Sequence, residues 1–473
     1  MSTDIEYTKE YFTAKASVEA LEARFAKRLT VNADLDRTLI SFQANKSEPI
    51  FRWFHYREGF SKQLVEYALD KIEAPQNGHI LDPFAGTGAS PFVGAQYKGM
   101  TGYAVELLPV GTFFMHCRNV FAGLANSTLI QYAKQTLDSR EKWMAVKPEW
   151  RFNHLRITDH AFPCETEEEL CRYKTWAHHQ KDENYALFLD FVSFSILEKI
   201  SYTRKDGQYL RWDFRSPRYT NAKRATTFDK GKIWGFFEAL EDKLQHIIDD
   251  LQNDMFEEKD SRNGQINIIQ GSVLKEINKI PDDSLDCVIT SPPYCNRYDY
   301  TRTYALELAY LGIDESRIRE LRQTLLTCTV ENKPKQFDWL DKDIHAVAKN
   351  AFEKQQALQD TIAFLNSEKN AKRLNNSGIV TMVSGYFYDT AVHLAQVVKK
   401  IRSGGHYVMV NDNVRYNGLD LPIDCILSDI AEAVGFETEV IWVLPRGKGN
   451  SSQQMKKHGR SELRKCVYVW RKK

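Results

Sequence analysis

The sequence predicts an open α/β fold, a mostly parallel sheet wound with helices and interrupted by long inserted segments. Three observations carry that prediction. His79-Ile80-Leu81-Asp82 is a short apolar run that breaks at Pro83-Phe84-Ala85-Gly86-Thr87-Gly88 and resumes as an apolar helical stretch, the pattern of strand, glycine turn and helix. Leu285-Asp286-Cys287-Val288-Ile289 is a second buried-strand run, and it ends in Thr290-Ser291-Pro292-Pro293-Tyr294. Near the C-terminus, the β-branched and aromatic runs Glu439-Val440-Ile441-Trp442-Val443 and Cys466-Val467-Tyr468-Val469-Trp470 supply two more strands.

In chain order, residues 1–50 are amphipathic and charged and read as a helical N-terminal extension. Phe54 to Ser61 leads into an amphipathic helix from Lys62 to Ile72, with Leu64, Val65, Ala68, Leu69 and Ile72 on one face. Phe60 has two readings, a hydrophobic staple for that helix or a wall of a ligand pocket. Gly86 and Gly88 let the backbone turn tightly and approach a ligand at the carboxyl edge of the sheet. No phosphate-binding lysine follows, and the spacing is not that of a dinucleotide loop, so the pattern points to a nucleoside ligand without phosphates. Thr101 to Glu106 is a further strand that ends in a carboxylate, placed to hold ribose hydroxyls or simply to be solvated. Ile266 to Gln270 is another apolar run, closed by Gly271 and Ser272. Ile401 to Val410 reads as a helix end, a glycine turn at Gly404-Gly405 and a buried strand.

The loop Ser291-Pro292-Pro293-Tyr294 has its own chemistry. Two prolines fix φ and remove two backbone donors, so a carbonyl points outward beside a small hydroxyl and an aromatic face, an arrangement that suits a flat, amino-bearing base. This tetrapeptide resembles motif IV of the amino-methyltransferases that act on DNA, in the version usual for enzymes of cytosine N4. Asp82-Pro83-Phe84-Ala85-Gly86-Thr87-Gly88 resembles their motif I, Ile266 to Ser272 their motif III, and Phe54 to Ser61 their motif X. The resemblance implies a Rossmann-like seven-strand methyltransferase sheet whose last strand pair forms an antiparallel edge. It also implies S-adenosyl-L-methionine as cofactor, held by Phe60, Asp82, Pro83, Phe84, Gly86, Gly88, Glu106 and Ser272. Many family members have an aspartate where this chain has Ser272, which leaves the adenine contact open.

The motif order implies a division. Residues 51–117 form the cofactor-binding half and 266–473 the catalytic half, with a helical insertion at about 300–375. Residues 118–265 between them resemble, by position, the target-recognition region of the alpha arrangement. Within that insert, Tyr202 to Trp234 has a local charge balance of +6 and interleaves aromatics with Arg204, Lys205, Arg211, Arg215, Arg218, Lys223 and Arg224. Such a stretch suits phosphate contacts and base readout, and it also fits an ordinary solvated face. Arg297 and Arg302, just after the proline loop, are placed either to meet DNA or to pack that loop on the core.

Length and composition fit a globular protein: 473 residues suffice for a large core and an inserted module, and the net charge of +1 excludes a basic nucleic-acid coat. Any DNA contact must therefore come from local patches. Eight cysteines without a Cys-x-x-Cys pair read as reduced intracellular thiols, and Cys164 and Cys171 with His178 and His179 lack zinc-site spacing, so no metal is expected. No apolar run approaches a membrane span, and the N-terminus carries Asp4 and Glu6 where a secretory signal would be basic. A cytoplasmic location is expected, with double-stranded DNA as partner.

The chemistry implied is in-line methyl transfer to a cytosine amino nitrogen after base flipping, with Ser291, Pro292, Pro293 and Tyr294 as the catalytic loop. Adenine N6 is the nearest alternative, followed by an RNA substrate or a noncatalytic DNA-binding subunit. The family resemblance further implies a modification enzyme whose companion restriction endonuclease is a separate chain.

Overall fold

The computed structural model describes residues 8–206, 209–220, 227–253, 264–445 and 462–473. Its centre is an eight-stranded sheet. The strands are β1 (Leu29–Val31), β2 (His79–Asp82), β3 (Thr101–Glu106), β4 (Ile266–Gln270), β5 (Leu285–Thr290), β6 (Ile401–Asp412), β7 (Phe436–Val443) and β8 (Lys465–Lys472). Across the sheet they run β1-β7-β8-β6-β5-β2-β3-β4. Strands β6, β5, β2, β3 and β4 pair in parallel, and β8 lies antiparallel between β6 and β7. The parallel core follows from composition: β2 and β5 are buried nearly throughout, so both faces need apolar residues.

Two features differ from the sequence expectation. The antiparallel pair β7 and β8 forms, but the sheet continues past it, because Leu29, Thr30 and Val31 pair in parallel with Ile441, Trp442 and Val443. Among the described residues of the N-terminal segment, only Lys9–Phe25 forms an α-helix, and the strand after it supplies the edge. The second difference lies at Gly404-Gly405. Strand β6 starts immediately after the helix Ile379–Lys400, and the glycines form a bulge within it instead of a turn before it. Leu285 stands opposite Ile401 and Cys287 opposite His406, so β6 has extra residues at this point, with Gly404 at φ +76°.

The helix Lys62–Lys71 forms as its periodicity predicts. The Ser61 hydroxyl caps it by accepting from the Leu64 N–H at 3.1 Å, and Leu64, Val65, Ala68 and Leu69 are buried. The insert between β3 and β4 is mainly helical. Helices Cys164–His178, Glu183–Ile200 and Phe236–Gln252 pack around Trp143, Phe188, Phe191 and Phe194, with one small hairpin, Thr203–Asp206 paired to Tyr209–Trp212. The later insertion is also helical, including Glu315–Thr324, Lys342–Lys354 and Gln356–Asn370. No helix among the described residues is long and apolar enough to cross a membrane.

Candidate active site

A cleft of about 770 Å³ opens where β2, β3, β4 and β5 end. This is where parallel α/β sheets bind ligands, because every loop that leaves a carboxyl end converges there. Of the residues singled out in the sequence, Phe60, Asp82, Pro83, Phe84, Gly86, Glu106, Ser272, Ser291 and Pro293 line it.

Asp82 ends β2 and joins two loops. One carboxylate oxygen accepts from the Thr290 hydroxyl at 2.6 Å and from the Phe84 N–H at 3.0 Å, and the other lies 3.1 Å from the Ser90 hydroxyl. That hydroxyl also sits 2.7 Å from the Ile289 carbonyl. The glycine loop and the strand leading to Ser291 are thus tied through one buried acid. Burial raises its pKa to about 6, against the pull of those donors.

Glu106 does the same for the next turn. Its oxygens accept from the Gly86 N–H at 2.7 Å and the Leu108 N–H at 2.6 Å, while burial pushes its pKa up to about 7. The carboxylate therefore orders the glycine loop and keeps lone pairs for a ligand. Gly86 has φ +53°, and a Cβ there would fall 2.7 Å from the Tyr56 ring, so only glycine suits both its conformation and its neighbour. Gly88, at φ +80°, precedes the helix Ala89–Lys98 and packs near Met115 and Phe92 without lining the cleft. Ser272 faces the cleft, but its hydroxyl donates to the Thr324 carbonyl at 3.3 Å, which pins the end of the helix Glu315–Thr324 to the end of β4.

In the proline loop, Ser291 and Pro293 line the cleft, Pro292 is buried, and the Tyr294 hydroxyl lies 3.0 Å from the Ser291 hydroxyl. Burial raises the Tyr294 pKa, so the phenol stays neutral and can exchange a hydrogen bond with Ser291.

Tyr300, which the sequence places just after the proline loop, also lines the cleft, and so do Tyr56, Glu58, Leu325 and Leu326, which were not among the expected site residues. Tyr56 stacks on Tyr304 with ring centres 4.9 Å apart and planes 15° from parallel. Glu58 accepts from the hydroxyls of both Tyr298 and Tyr304, and burial raises its pKa. The signal for this wall lay in the string Tyr56-Arg57-Glu58-Gly59-Phe60, although its tyrosine partners stand about 240 positions away.

The basic stretch of the insert is used more variously than its composition suggests. Arg204 is exposed. Arg211 pairs with Asp206 at 3.0 Å, and Arg215 grips Asp213 through two bonds, at 2.7 and 2.8 Å. Arg218 donates to the Arg156 and Ile157 carbonyls, both at 3.1 Å, and covers the Trp212 ring. Lys205 is buried at 2% exposure, its ammonium 2.5 Å from Glu307 and 3.8 Å from Glu198, so it has no outward face for a phosphate. Lys223 and Arg224 lie outside the described residues. Arg302 pairs with Glu331 and with Asp299, while Arg297 follows the proline loop at φ +68°. Among the described residues, no three His, Cys, Asp or Glu side chains gather as metal ligands.

A glycine turn, a strand-end carboxylate and a proline loop thus converge on one cleft at the carboxyl edge of the parallel sheet, and full-length relatives give the family. The chain is 43% identical over 485 aligned residues to the Type II methyltransferase M.AvaI of Nostoc sp. and to that of Anabaena variabilis, covering 99% of this chain and 96% of each relative. It is 38% identical over 475 residues to the Type II methyltransferase M.BsoBI of Geobacillus stearothermophilus, covering 96% of this chain and 91% of that protein. No family model matches, and no solved structure does. The chain belongs to the type II methyltransferase family.

Proposed function

We propose that this chain is the modification methyltransferase of a restriction-modification system, acting on duplex DNA and transferring a methyl group from S-adenosyl-L-methionine to the N4 amino group of cytosine. The supporting observation is that one cleft is lined by the Gly86 turn, the Glu106 carboxylate, and Ser291 and Pro293 of the proline loop. The residues fit that cofactor. Gly86 keeps a cradle open that a side chain would fill, Glu106 retains acceptor capacity at a strand end, and Phe84, Leu325 and Leu326 add apolar walls for a base.

When bound, the cofactor supplies an electrophilic methyl group. The protein's task is to present the amino nitrogen, whose lone pair is delocalised into the ring and so attacks poorly. The Ser291 hydroxyl and the Pro292 carbonyl accept its two hydrogens, favouring a tetrahedral nitrogen as the new bond forms. Tyr294, held to Ser291 by its hydroxyl, offers a face for the flipped base, a contact worth roughly 1 to 3 kcal/mol against the cost of unstacking. The exposed Arg204 serves as a phosphate contact, and the companion endonuclease is a separate chain.

The test is to incubate the protein with labelled cofactor and unmethylated DNA and identify the product nucleoside by mass. N4-methylcytosine, lost in Ser291→Ala and Tyr294→Ala, is the expected result. N6-methyladenine would overturn the base assignment while retaining the DNA enzyme, and cofactor binding without transfer to DNA would overturn both.

A further inference from the structure

Lys205 is a buried cation with no part in the methyl-transfer chemistry. It sits on the inward face of a two-faced hairpin. Along Thr203–Asp206 exposure alternates, with Arg204 outside and Lys205 inside, as expected for a strand with one face packed. Across the hairpin, Arg204 stands opposite Arg211, and Lys205 opposite the buried Leu210. Two like charges directly opposed on an outer face are unfavourable unless an anion lies between them, and Asp206 serves only Arg211. Arg211 is taken up by Asp206 and by the Phe228 ring, which leaves Arg204 as the outer-face cation open to an anion, one peptide bond from Lys205.

The inward side leads directly to the cleft. The Lys205 ammonium is fixed by Glu307 on the helix Ala305–Tyr310 and lies 4.7 Å from the centre of the Tyr304 ring. Tyr304 donates its hydroxyl to Glu58, a lining residue, and stacks on Tyr56. The Tyr56 ring is in turn the group that would meet a Cβ on Gly86. Three consecutive contacts thus run from the hairpin to the glycine cradle, the Lys205 ammonium on the Tyr304 ring, the parallel stack of Tyr304 on Tyr56, and Tyr56 against Gly86, with the buried ion pair to Glu307 fixing the first.

We infer that Lys205 is a positioning residue for the cofactor cleft, through which DNA held on the outer face of the hairpin tightens cofactor binding. The inference rests on the DNA-methyltransferase reading above. Because linkage is reciprocal, bound cofactor tightens DNA by the same factor. Removing Lys205 alone strands Glu307 as a buried unpaired acid, so the informative variant is the double neutralisation Lys205→Met with Glu307→Gln.

The experiment is equilibrium dialysis of labelled S-adenosylhomocysteine, the unreactive product, with and without an unmethylated plasmid whose methylation by the wild-type protein is measured alongside. Thermal denaturation of each variant runs in parallel. We expect the plasmid to lower the wild-type Kd at least fivefold, and the double variant to lose most of that enhancement with its Tm within about 3 °C of wild type. A wild-type Kd that ignores the plasmid would overturn the inference. So would a double variant that retains the enhancement, whatever its Tm, since Lys205 would then be structural only. A plasmid left unmethylated by the wild type would instead refute the DNA-methyltransferase reading, which separates the two failures.

Discussion

The ends of β2, β3 and β5 and the hairpin at Thr203–Trp212 both concentrate charged side chains, and they use them in opposite ways. At the strand ends, Asp82 and Glu106 are buried, and their oxygens receive backbone N–H groups or hydroxyls from neighbouring turns. Their charge serves backbone geometry. Around the hairpin the described arginines are exposed, and several are spent on local acids or carbonyls, leaving Arg204, among the described residues, as the one with an open outer position. Where a charge organises the backbone, its sequence context is a tight turn motif. Where it meets solvent or a distant partner, composition reveals the cation but not its use.

The largest expected break in this contrast is Gly86→Ala. A left-handed φ of +53° and a Cβ 2.7 Å from the Tyr56 ring combine backbone strain with a clash, together about 2 to 3 kcal/mol. Cofactor affinity should fall by roughly 30- to 150-fold, read by equilibrium dialysis. Next comes Asp82→Asn, which replaces a charged acceptor shared by two loops. It should lower stability by about 1 to 3 kcal/mol in denaturant unfolding and slow methyl transfer by misplacing Ser291.

A pH series sharpens the same side of the comparison. The folded pKa of Glu106 is raised, so between about 4.5 and about 7 the folded protein binds more protons than the unfolded chain. Stability from this group is therefore greatest at the acid end of the window and falls as pH rises through it, by at most about 1.4 kcal/mol per pH unit. Glu106→Gln should flatten that fall in urea titrations of the cofactor-free protein. The smallest effects lie in the hairpin region. Arg204→Ala should weaken DNA binding severalfold, reduce the salt slope by about 1 and leave stability unchanged. Arg218→Ala should instead cost about 1 kcal/mol of stability, because two carbonyls and the Trp212 face lose their partner.

Much of the cleft was legible because its parts are local. Asp82 to Gly88 is a strand followed by an obligatory turn, and Thr290 to Tyr294 is a strand followed by two prolines, so each motif specifies its own shape within a few residues. The wall made by Glu58 was not legible, since a glutamate acquires meaning only from tyrosines about 240 positions later. Lys205 misled for a related reason. Among eight other cations it reads as surface, and only Glu307, a hundred residues on, shows that it is inside. Strand β1 escaped as well, because three residues carry no periodicity and their register is set by Ile441 to Val443.

That last pairing has a consequence for how the chain is made. Residues 29–31 leave the ribosome long before the strand they dock on, which ends at Val443. At about 5 to 20 residues per second, synthesis of the intervening chain takes roughly 20 to 80 seconds. Throughout that interval this segment lacks its partner strand. The helix Lys9–Phe25 waits too, since its packing partner is Gln356–Asn370. Residues 9–31 are therefore among the last parts to fold, and a nascent chain stalled before residue 441 carries 29–31 as an unpaired strand open to any neighbour.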